Sequence, residues 1–255
     1  MTRAILAARP AAPAPPPVPV AAVWLDARDL TAGALTQMVS RGTQQQFTGS
    51  ATCDLSINGT PTVVCDGVVD HLRSAGNIAA MNGATAYTLF LGMTVPPLGS
   101  GYKVIAEFGS DYTTEPDSAL IYQGVNLGER FEQYSKGVAN PAVWCGTQIW
   151  APPQPAPTTV PAVWVFQIDL ANPAAPTCSF WRNNQTSYVE VRALGLASAA
   201  FGNHPLSLAD RAAGQASAPS ALSFTQCRMY ASALSTLDRE AISLDIAAAS
   251  GIVFP

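Results

Sequence analysis

The chain has 255 residues and a formal net charge of −4, and only 12% of its residues are charged, against roughly 25% in an average soluble domain. It contains no cluster of lysines and arginines, which argues against nucleic-acid binding, and no apolar run approaches the roughly 20 residues of a membrane-spanning helix. A surface so poor in charge indicates that neighbouring molecules cover part of it.

Residues 1–21 are rich in proline and alanine, and we predict that they form an extended arm ahead of one domain, residues 22–255. Proline fixes φ at about −65° and has no amide hydrogen to donate, so this composition favours a stiff polyproline II conformation. The apolar patch in residues 2–8 is too short for a signal-peptide core, and we interpret it as mature protein. We predict that the arm attaches the domain to a partner through Arg9, Pro10, Pro13, Pro15, Pro16, Pro17 and Pro19.

Beyond the arm, short alternating segments separated by turn residues predict an antiparallel β-sandwich rather than an α/β fold. The segments 87–91 and 163–168 are the most apolar, and we expect them to be central. The second proline-rich stretch, 151–161, is predicted to project as a loop. The predicted strands are 22–25, 45–47, 62–64, 87–93, 103–108, 120–122, 130–135, 162–169, 177–182, 188–191 and 222–230.

The end of the chain has the pattern of a strand that runs directly into a capped helix. Ser235 is a favourable N-cap, Asp238 follows three residues later as in a capping box, and Gly251 supplies a C-terminal stop. Four apolar residues recur between these caps at helical spacing: Leu237, Ala241, Leu244 and Ala248.

This tail, residues 227–242, resembles the end of the concanavalin A-like, laminin G-like jelly rolls of bacteriophage structural proteins. Residues 23–30 resemble the first strand of the same family, and Asn58-Gly59 followed by residues 65–72 resembles its next hairpin. The matches bracket nearly the whole chain. The resemblance implies an all-β, two-sheet antiparallel jelly roll with a short C-terminal helix.

Our leading hypothesis is therefore a non-enzymatic bacteriophage virion protein, most simply a capsid decoration protein or else part of a tail or fibre. The arm would attach it to other virion proteins, and symmetric copies would form a homo-oligomer in the particle. Such a protein would be assembled in the cytoplasm of the host bacterium.

The alternative hypothesis is a carbohydrate-binding adhesin module that recognises host surface glycans. This function requires an exposed aromatic ring beside hydrogen-bonding groups, and we assign it to the turn that holds Trp181, Asn183 and Asn184. The opposing interpretation is that Trp181 covers an edge of the sandwich. Other candidate rings are Tyr112, Tyr134, Trp144 and Trp150.

Catalytic chemistry has little support in the sequence, and we predict no catalytic residue. No glutamate lies two residues from another carboxylate on a convincing strand, which glycosidases of this general fold require, and neither His71 nor His204 lies near a nucleophile motif. We predict no cofactor. The resemblance leaves calcium as the open alternative, with candidate oxygens on Asp26, Asp29, Asp66 and Asp70, which could equally accept hydrogen bonds from backbone amides.

The five cysteines are an odd number and lack metal-ligand spacing, so we predict that they remain thiols, as suits a reducing cytoplasm. A bridge between Cys53 and Cys65 around Asn58-Gly59 would need a bulge, because a two-residue turn places Cys53 opposite Val64. The other three cysteines are Cys145, Cys178 and Cys227.

Overall fold

The computed structural model describes residues 19–95, 102–111, 114–124, 130–137, 143–148, 160–172, 174–186, 190–193, 198–211 and 218–254. The predicted arm contacts from Arg9 to Pro17 and most of the second proline-rich stretch lie outside these ranges, whereas Pro19 lies within them. No helix in these ranges is long and apolar enough to cross a membrane.

The described residues form antiparallel strands, two short 3-10 helices (Ala27–Asp29 and Ala79–Met81) and one α-helix, α1 (Thr236–Ser250). This confirms the predicted all-β jelly-roll fold with a C-terminal helix. The strands are β1 (Val23–Asp26), β2 (Gly33–Val39), β3 (Gln46–Ile57), β4 (Thr60–Val64), β5 (His71–Ser74), β6 (Ala86–Thr94), β7 (Tyr102–Phe108), β8 (Ala119–Gly124), β9 (Arg130–Ser135), β10 (Val143–Gln148), β11 (Ala162–Asp169), β12 (Thr177–Arg182), β13 (Gln185–Thr186), β14 (Glu190–Ala193), β15 (Leu206–Leu208) and β16 (Ser223–Tyr230).

The strands make two layers that are joined by the long strand β3. The first layer runs β13-β12-β11-β6-β16-β4, with β1 beside β16, and the second runs β5-β15-β7-β8-β9-β10-β14. One half of β3 pairs with β4 and the other half with β5, so this strand passes from layer to layer. Phe131 of β9 packs edge-on against Trp164 and Phe166 of β11 across the interior.

The strands β6 and β11 lie in the middle of the first layer, as their apolar sequences predict, and they are buried on both faces. On β6, Leu89 and Leu91 face the interior of the sandwich, while Phe90 belongs to a second apolar cluster on the outer side. A strand covered on both faces has no need for polar residues at alternate positions, which explains its continuous apolar run.

The helix α1 covers the outer side of the first layer. Its caps are as predicted: the Ser235 hydroxyl accepts a hydrogen bond from the Asp238 amide at 3.1 Å, and Gly251 adopts a left-handed conformation with φ of 62°. The face that packs on the sheet carries Ile242 and Ile246. Leu237, Ala241, Leu244 and Ala248 instead lie on the opposite, solvent-facing side, and we call these four residues the helix stripe.

A glycine in β6 lets the helix approach the sheet closely. A Cβ atom added to Gly92 would lie 2.7 Å from Cγ2 of Ile246 and 2.8 Å from the hydroxyl of Thr225. The Thr225 hydroxyl also contacts the Ser250 hydroxyl of α1 at 2.5 Å. Small residues on both partners therefore set the distance between helix and sheet.

Five strands are absent from the sequence prediction: β2, β5, β10, β13 and β15. Strand β2 buries only Leu35 and Met38, because a bulge after Leu35 shifts the register and removes the period of two. Strands β13 and β15 have two and three residues, too few to carry a pattern. The predicted strand 188–191 begins outside the described residues and corresponds to β14.

The cysteine prediction is partly wrong. Cys53, Cys65 and Cys227 are free and buried, as expected, but Cys178 on β12 is disulfide-bonded. Cys53 lies opposite Val63 rather than Val64, because the β3–β4 register shifts between Asp54 and Ile57. The register change does not bring Cys53 and Cys65 into a bridge.

Candidate functional site

The outer face of the second layer carries aromatic and charged side chains on neighbouring strands. Tyr122 of β8 lies directly opposite Glu132 of β9 in the register, and Tyr134 lies two residues further along β9 on the same face. Tyr102 of β7 contacts Tyr122 edge-on, with ring centroids 5.8 Å apart. We call Tyr102, Tyr122, Tyr134 and Glu132 the tyrosine cluster.

A buried carboxylate holds two of these rings parallel. Tyr122 and Tyr134 stack with centroids 5.5 Å apart and planes 9° from parallel. Their hydroxyls donate to the same oxygen, Oε2 of Glu132, at 2.5 and 3.0 Å. Burial, and after it the hydrogen bonds to Glu132 and Tyr134, raise the pKa of Tyr122 above its usual range, so its phenol stays protonated and can donate.

A charged group lies beside the tyrosine cluster on the same face. Glu107 of β7 is fully buried, and Arg211 donates to its two carboxylate oxygens at 3.1 and 3.3 Å. A third hydrogen bond joins Arg211 to Asp111 at 3.3 Å. Burial disfavours the charge of Arg211, but the hydrogen bond and the charge of Glu107 outweigh it and raise the pKa of Arg211.

This face is suited to bind a polar molecule that has one apolar side. Tyr102 is 50% exposed, and the tyrosines beside it are half-buried, so aromatic surface is presented next to hydroxyl groups. The parallel orientation of Tyr122 and Tyr134 is fixed before any ligand arrives, which lowers the entropy lost on binding. A sugar ring has this combination of an apolar face and hydroxyl edges.

The site predicted around Trp181 lacks the exposed platform on which that prediction depended. Trp181 is 9% exposed, and the guanidinium of Arg239 on α1 covers its ring at 3.8 Å. Asn183 and Asn184 form the turn between β12 and β13 with positive φ values, and the Asn183 side chain accepts a hydrogen bond from the Val163 amide at 2.9 Å. The interpretation of Trp181 as a covered edge residue agrees with this geometry.

Other predicted aromatic contacts fall in different places. Tyr134 belongs to the tyrosine cluster. Tyr112 and Trp150 lie outside the described residues, and the side chain of Trp144 on β10 is also outside them.

The carboxylates proposed for calcium are engaged by protein groups. Asp26 and Asp29 pair with arginines, since Arg41 reaches Asp26 at 2.8 Å and Asp29 at 2.6 Å. Asp66 accepts hydrogen bonds from three backbone amides of its own turn, and these amides lower its pKa. Asp70 accepts from the Ser50 hydroxyl at 2.8 Å. Within the described ranges, no group of three or more histidines, cysteines and carboxylates could hold a metal ion.

A pocket of about 470 Å³ lies on the opposite side of the sandwich, beside α1, and we call it the Trp24 pocket. The guanidinium groups of Arg41 and Arg228 both lie over the Trp24 ring, at 5.1 and 4.3 Å from its centroid. The end of the predicted arm forms one wall of this pocket. The lining includes Pro19, Val20, Ala21, Tyr230, Ala241 and Asp245.

No protein-family model and no curated protein sequence matches the chain. Solved structures do. The botulinum neurotoxin serotype C1 binding domain matches with a TM-score of 0.64 and 8% identity, over 89% of this chain and 52% of that one. Botulinum neurotoxin type C, whose cell entry depends on interaction with two ganglioside molecules, gives 0.61 and 8%, over 88% and 51%.

A third similar structure is domain 4 of AbnA, a GH43 extracellular arabinanase from Geobacillus stearothermophilus, in complex with arabinotriose. Its TM-score is 0.55 with 11% identity, over 88% of this chain and 98% of that one. The chain spans about half the length of the neurotoxin structures that it matches. At these identities the likeness establishes the β-sandwich fold.

Proposed function

We propose that the domain is a carbohydrate-binding module and that the tyrosine cluster is its contact surface. The observation that carries the proposal is the Tyr122–Tyr134 pair, locked parallel by Glu132 on the outer face of a β-sandwich. The fold is shared with a domain that was solved in complex with arabinotriose, which supports this class of ligand. The ligand would be a glycan on a host cell surface.

In this proposal the rings and the carboxylate have different tasks. Tyr102 offers an exposed ring for the apolar face of a sugar, and the two stacked tyrosines offer ring edges and hydroxyls. Glu132 is 2% exposed and acts as a positioning residue, because it reaches the ligand only through the phenols that it orients.

We further propose that the domain is not an enzyme. A hydrolase needs one carboxyl group to donate a proton and a second to attack or to activate water. Glu107 is held by Arg211, and Glu132 accepts from two phenols, so neither carboxylate is presented to a substrate. Incubation of the full chain with any glycan that it binds should release no shorter product.

The test is a glycan array on the full chain, followed by calorimetric titration of the strongest ligand. We expect Tyr102→Ala to weaken that ligand about tenfold, since an aromatic contact contributes about 0.5–1.5 kcal/mol beyond its buried area. Leu55→Ala is the matched control, because Leu55 is 60% exposed on β3 and away from the cluster. An array without a ligand, or a titration that Tyr102→Ala leaves unchanged, would contradict the proposal.

A place in a bacteriophage particle stays a prediction of the sequence resemblance, together with the virion partners and the bacterial cytoplasm as the site of assembly. A glycan-binding domain that an arm attaches to a particle is compatible with both hypotheses. The deciding measurement mixes undecorated particles with the full chain and with a variant in which Pro13, Pro15, Pro16 and Pro17 are replaced by glycine. Stoichiometric binding that the variant loses would support attachment through the arm.

A further inference from the structure

The helix stripe is an apolar surface that no described residue covers. Leu237 is 76% exposed and Leu244 is 55% exposed, and Ala241 and Ala248 are exposed beside them. The steps between these residues are four, three and four, the heptad spacing of a helix that packs along another segment. Since α1 already buries Ile242 and Ile246 on its other side, the helix has two apolar faces and the sheet occupies one.

The charges that flank the stripe restrict what can cover it. Asp238 and Glu240 lie beside the stripe, and so does Asp245, which pairs with Arg228 of the sheet. The one basic residue of the helix, Arg239, packs on Trp181. The same stripe on a second copy would bring these carboxylates together, which is unfavourable. The occupant must therefore be apolar and basic.

The chain itself contains a segment with that chemistry. Residues 3–9 have the sequence Arg-Ala-Ile-Leu-Ala-Ala-Arg, in which five apolar residues lie between two arginines. Residues 1–18 contain no carboxylate side chain. The segment complements the stripe in both apolar character and charge.

The position of the arm places this segment within reach of the helix of a neighbouring molecule. Pro19 lines the Trp24 pocket together with Ala241 and Asp245, so the chain enters the described fold beside the stripe. Residues 10–18 would span about 28 Å in a polyproline II conformation, at about 3.1 Å per residue. This exceeds the length of α1, about 22 Å for 15 residues. A spacer of that length would allow residues 3–9 to reach the helix of a neighbouring molecule.

We propose that residues 3–9 of one copy bind the helix stripe of a second copy, so that copies associate by exchanging their arms. The leucines of the stripe bury their exposed surface against Ile5 and Leu6, and the arginines pair with Asp238 and Glu240. The bound partner is another molecule of this chain, which differs from the glycan proposed for the tyrosine cluster on the opposite layer.

The test is sedimentation equilibrium of the full chain and of full-length variants. We expect concentration-dependent association that Leu237→Gln with Leu244→Gln abolishes, and that Ile5→Asp with Leu6→Asp also abolishes. Val253→Gln is the matched control, because Val253 is 86% exposed but outside the stripe, and it should associate like the unchanged chain.

Mixing the two defective variants distinguishes exchange from a contact within one molecule. Each variant alone has no intact contact, but a mixed pair joins the normal arm of one to the normal stripe of the other. We expect the mixture to form heterodimers. Their association constant should be at least about tenfold lower than that of the unchanged dimer, because only one of the two contacts remains. A chain that is monomeric at all concentrations, or a mixture that stays monomeric, would overturn the proposal.

A charge exchange provides an independent check. Arg3→Glu with Arg9→Glu should weaken association, and Glu240→Arg in the same chain should restore part of it. If both charge variants associate as tightly as the unchanged chain, the arm does not bind beside these carboxylates.

Discussion

The two outer faces of the sandwich differ in how they meet their surroundings. The first layer is sealed by α1, with Gly92 and Thr225 on the sheet and Ser250 on the helix lying at the contact. The second layer instead arranges its polar groups across the strands, with Arg211 on Glu107 and two phenols on Glu132. A sheet face that a helix covers needs small residues at the contact. On a face without a helix, the polar groups can form hydrogen bonds with neighbouring strands, and surface stays available for a ligand.

The largest stability effect should follow from breaking the charge pair of the second layer. Arg211→Met removes the guanidinium that faces the buried Glu107, and removing one member of a buried ion pair costs about 3–5 kcal/mol. Denaturant unfolding measures the change. Arg28→Met serves as the control, since Arg28 is 42% exposed and Asp26 keeps Arg41, and its loss should be about 1 kcal/mol or less. Equal losses would show that the buried Arg211–Glu107 pair contributes no more to the free energy of unfolding than the exposed Arg28–Asp26 pair.

A cavity under the helix should give the next largest effect. Ile246→Ala empties a fully buried site between α1 and β6, which costs about 2–4 kcal/mol in the free energy of unfolding. Leu244→Ala on the solvent side should change it by about 0.5 kcal/mol or less in dilute, monomeric protein. If Leu244→Ala were the more costly of the two, the assignment of the buried face would be wrong.

Loss of a phenol from the tyrosine cluster should be smaller and dependent on pH. Tyr122→Phe removes the hydrogen bond to Glu132 and should cost about 1–2 kcal/mol at neutral pH. The raised pKa of Tyr122 means that the unfolded chain ionises first, near the ordinary value of 10.0, so stability falls as pH rises above it. The variant cannot ionise there and should lose less stability in alkali.

The same pH series compares the two faces directly. Tyr230 lies under the helix, where burial raises its pKa but the charge of Arg228 opposes the shift. We therefore measure the free energy of unfolding in urea at several alkaline pH values. Tyr230→Phe should reduce the loss of stability with rising pH by less than Tyr122→Phe does. Identical slopes for both variants and the unchanged chain would contradict the assignment.

The smallest effect on stability should come from the Asn58-Gly59 turn, which contacts the C-terminal end of α1. Asn58 donates from its side-chain amide to the carbonyls of Ser250 and Gly251 at 3.2 and 2.9 Å. Asn58→Gly keeps the positive φ of the turn but loses these bonds, which should cost about 1 kcal/mol. Asn58→Ala should cost more in the same unfolding experiment, because it also strains the turn. A larger loss for Asn58→Gly than for Asn58→Ala would mean that the greater backbone entropy of glycine in the unfolded chain dominates the effect.

Local chemistry explains which parts of this fold the sequence predicts. The Asn58-Gly59 turn, the cap at Ser235 and the stop at Gly251 each depend on neighbouring residues, and all three lie where they were predicted. The buried face of α1 is not local, because both Ile246 and Leu244 have helical spacing and only the sheet decides between them. Gly92 lets the helix approach the sheet closely, and nothing in its own segment indicates that a helix lies above it.

The candidate site illustrates the same limit. Tyr134 is among the predicted aromatic residues, but Glu132 is not among the predicted site residues, because a single strand shows only its own neighbours. The pairing of β8 with β9 places Tyr122 opposite Glu132, and the pairing of β7 with β8 adds Tyr102. A tyrosine on each of two consecutive predicted strands, Tyr122 and Tyr134, with Glu132 two residues before the second, is the signal that could have identified the cluster. Trp181 misled the prediction because Arg239, which covers it, is distant in sequence.

The close contact at Gly92 also gives a means of recognising distant relatives. A side chain at this position would force Ile246, Thr225 or the helix itself to shift, so sequences that keep this contact unchanged are expected to keep glycine there. The Thr225 and Ser250 hydroxyls that meet beside it add two further constraints. A glycine in the central strand, a threonine early in the last strand and a serine at the end of the helix form a three-position signature. That signature can identify proteins with the same helix contact even where overall identity is too low to align them.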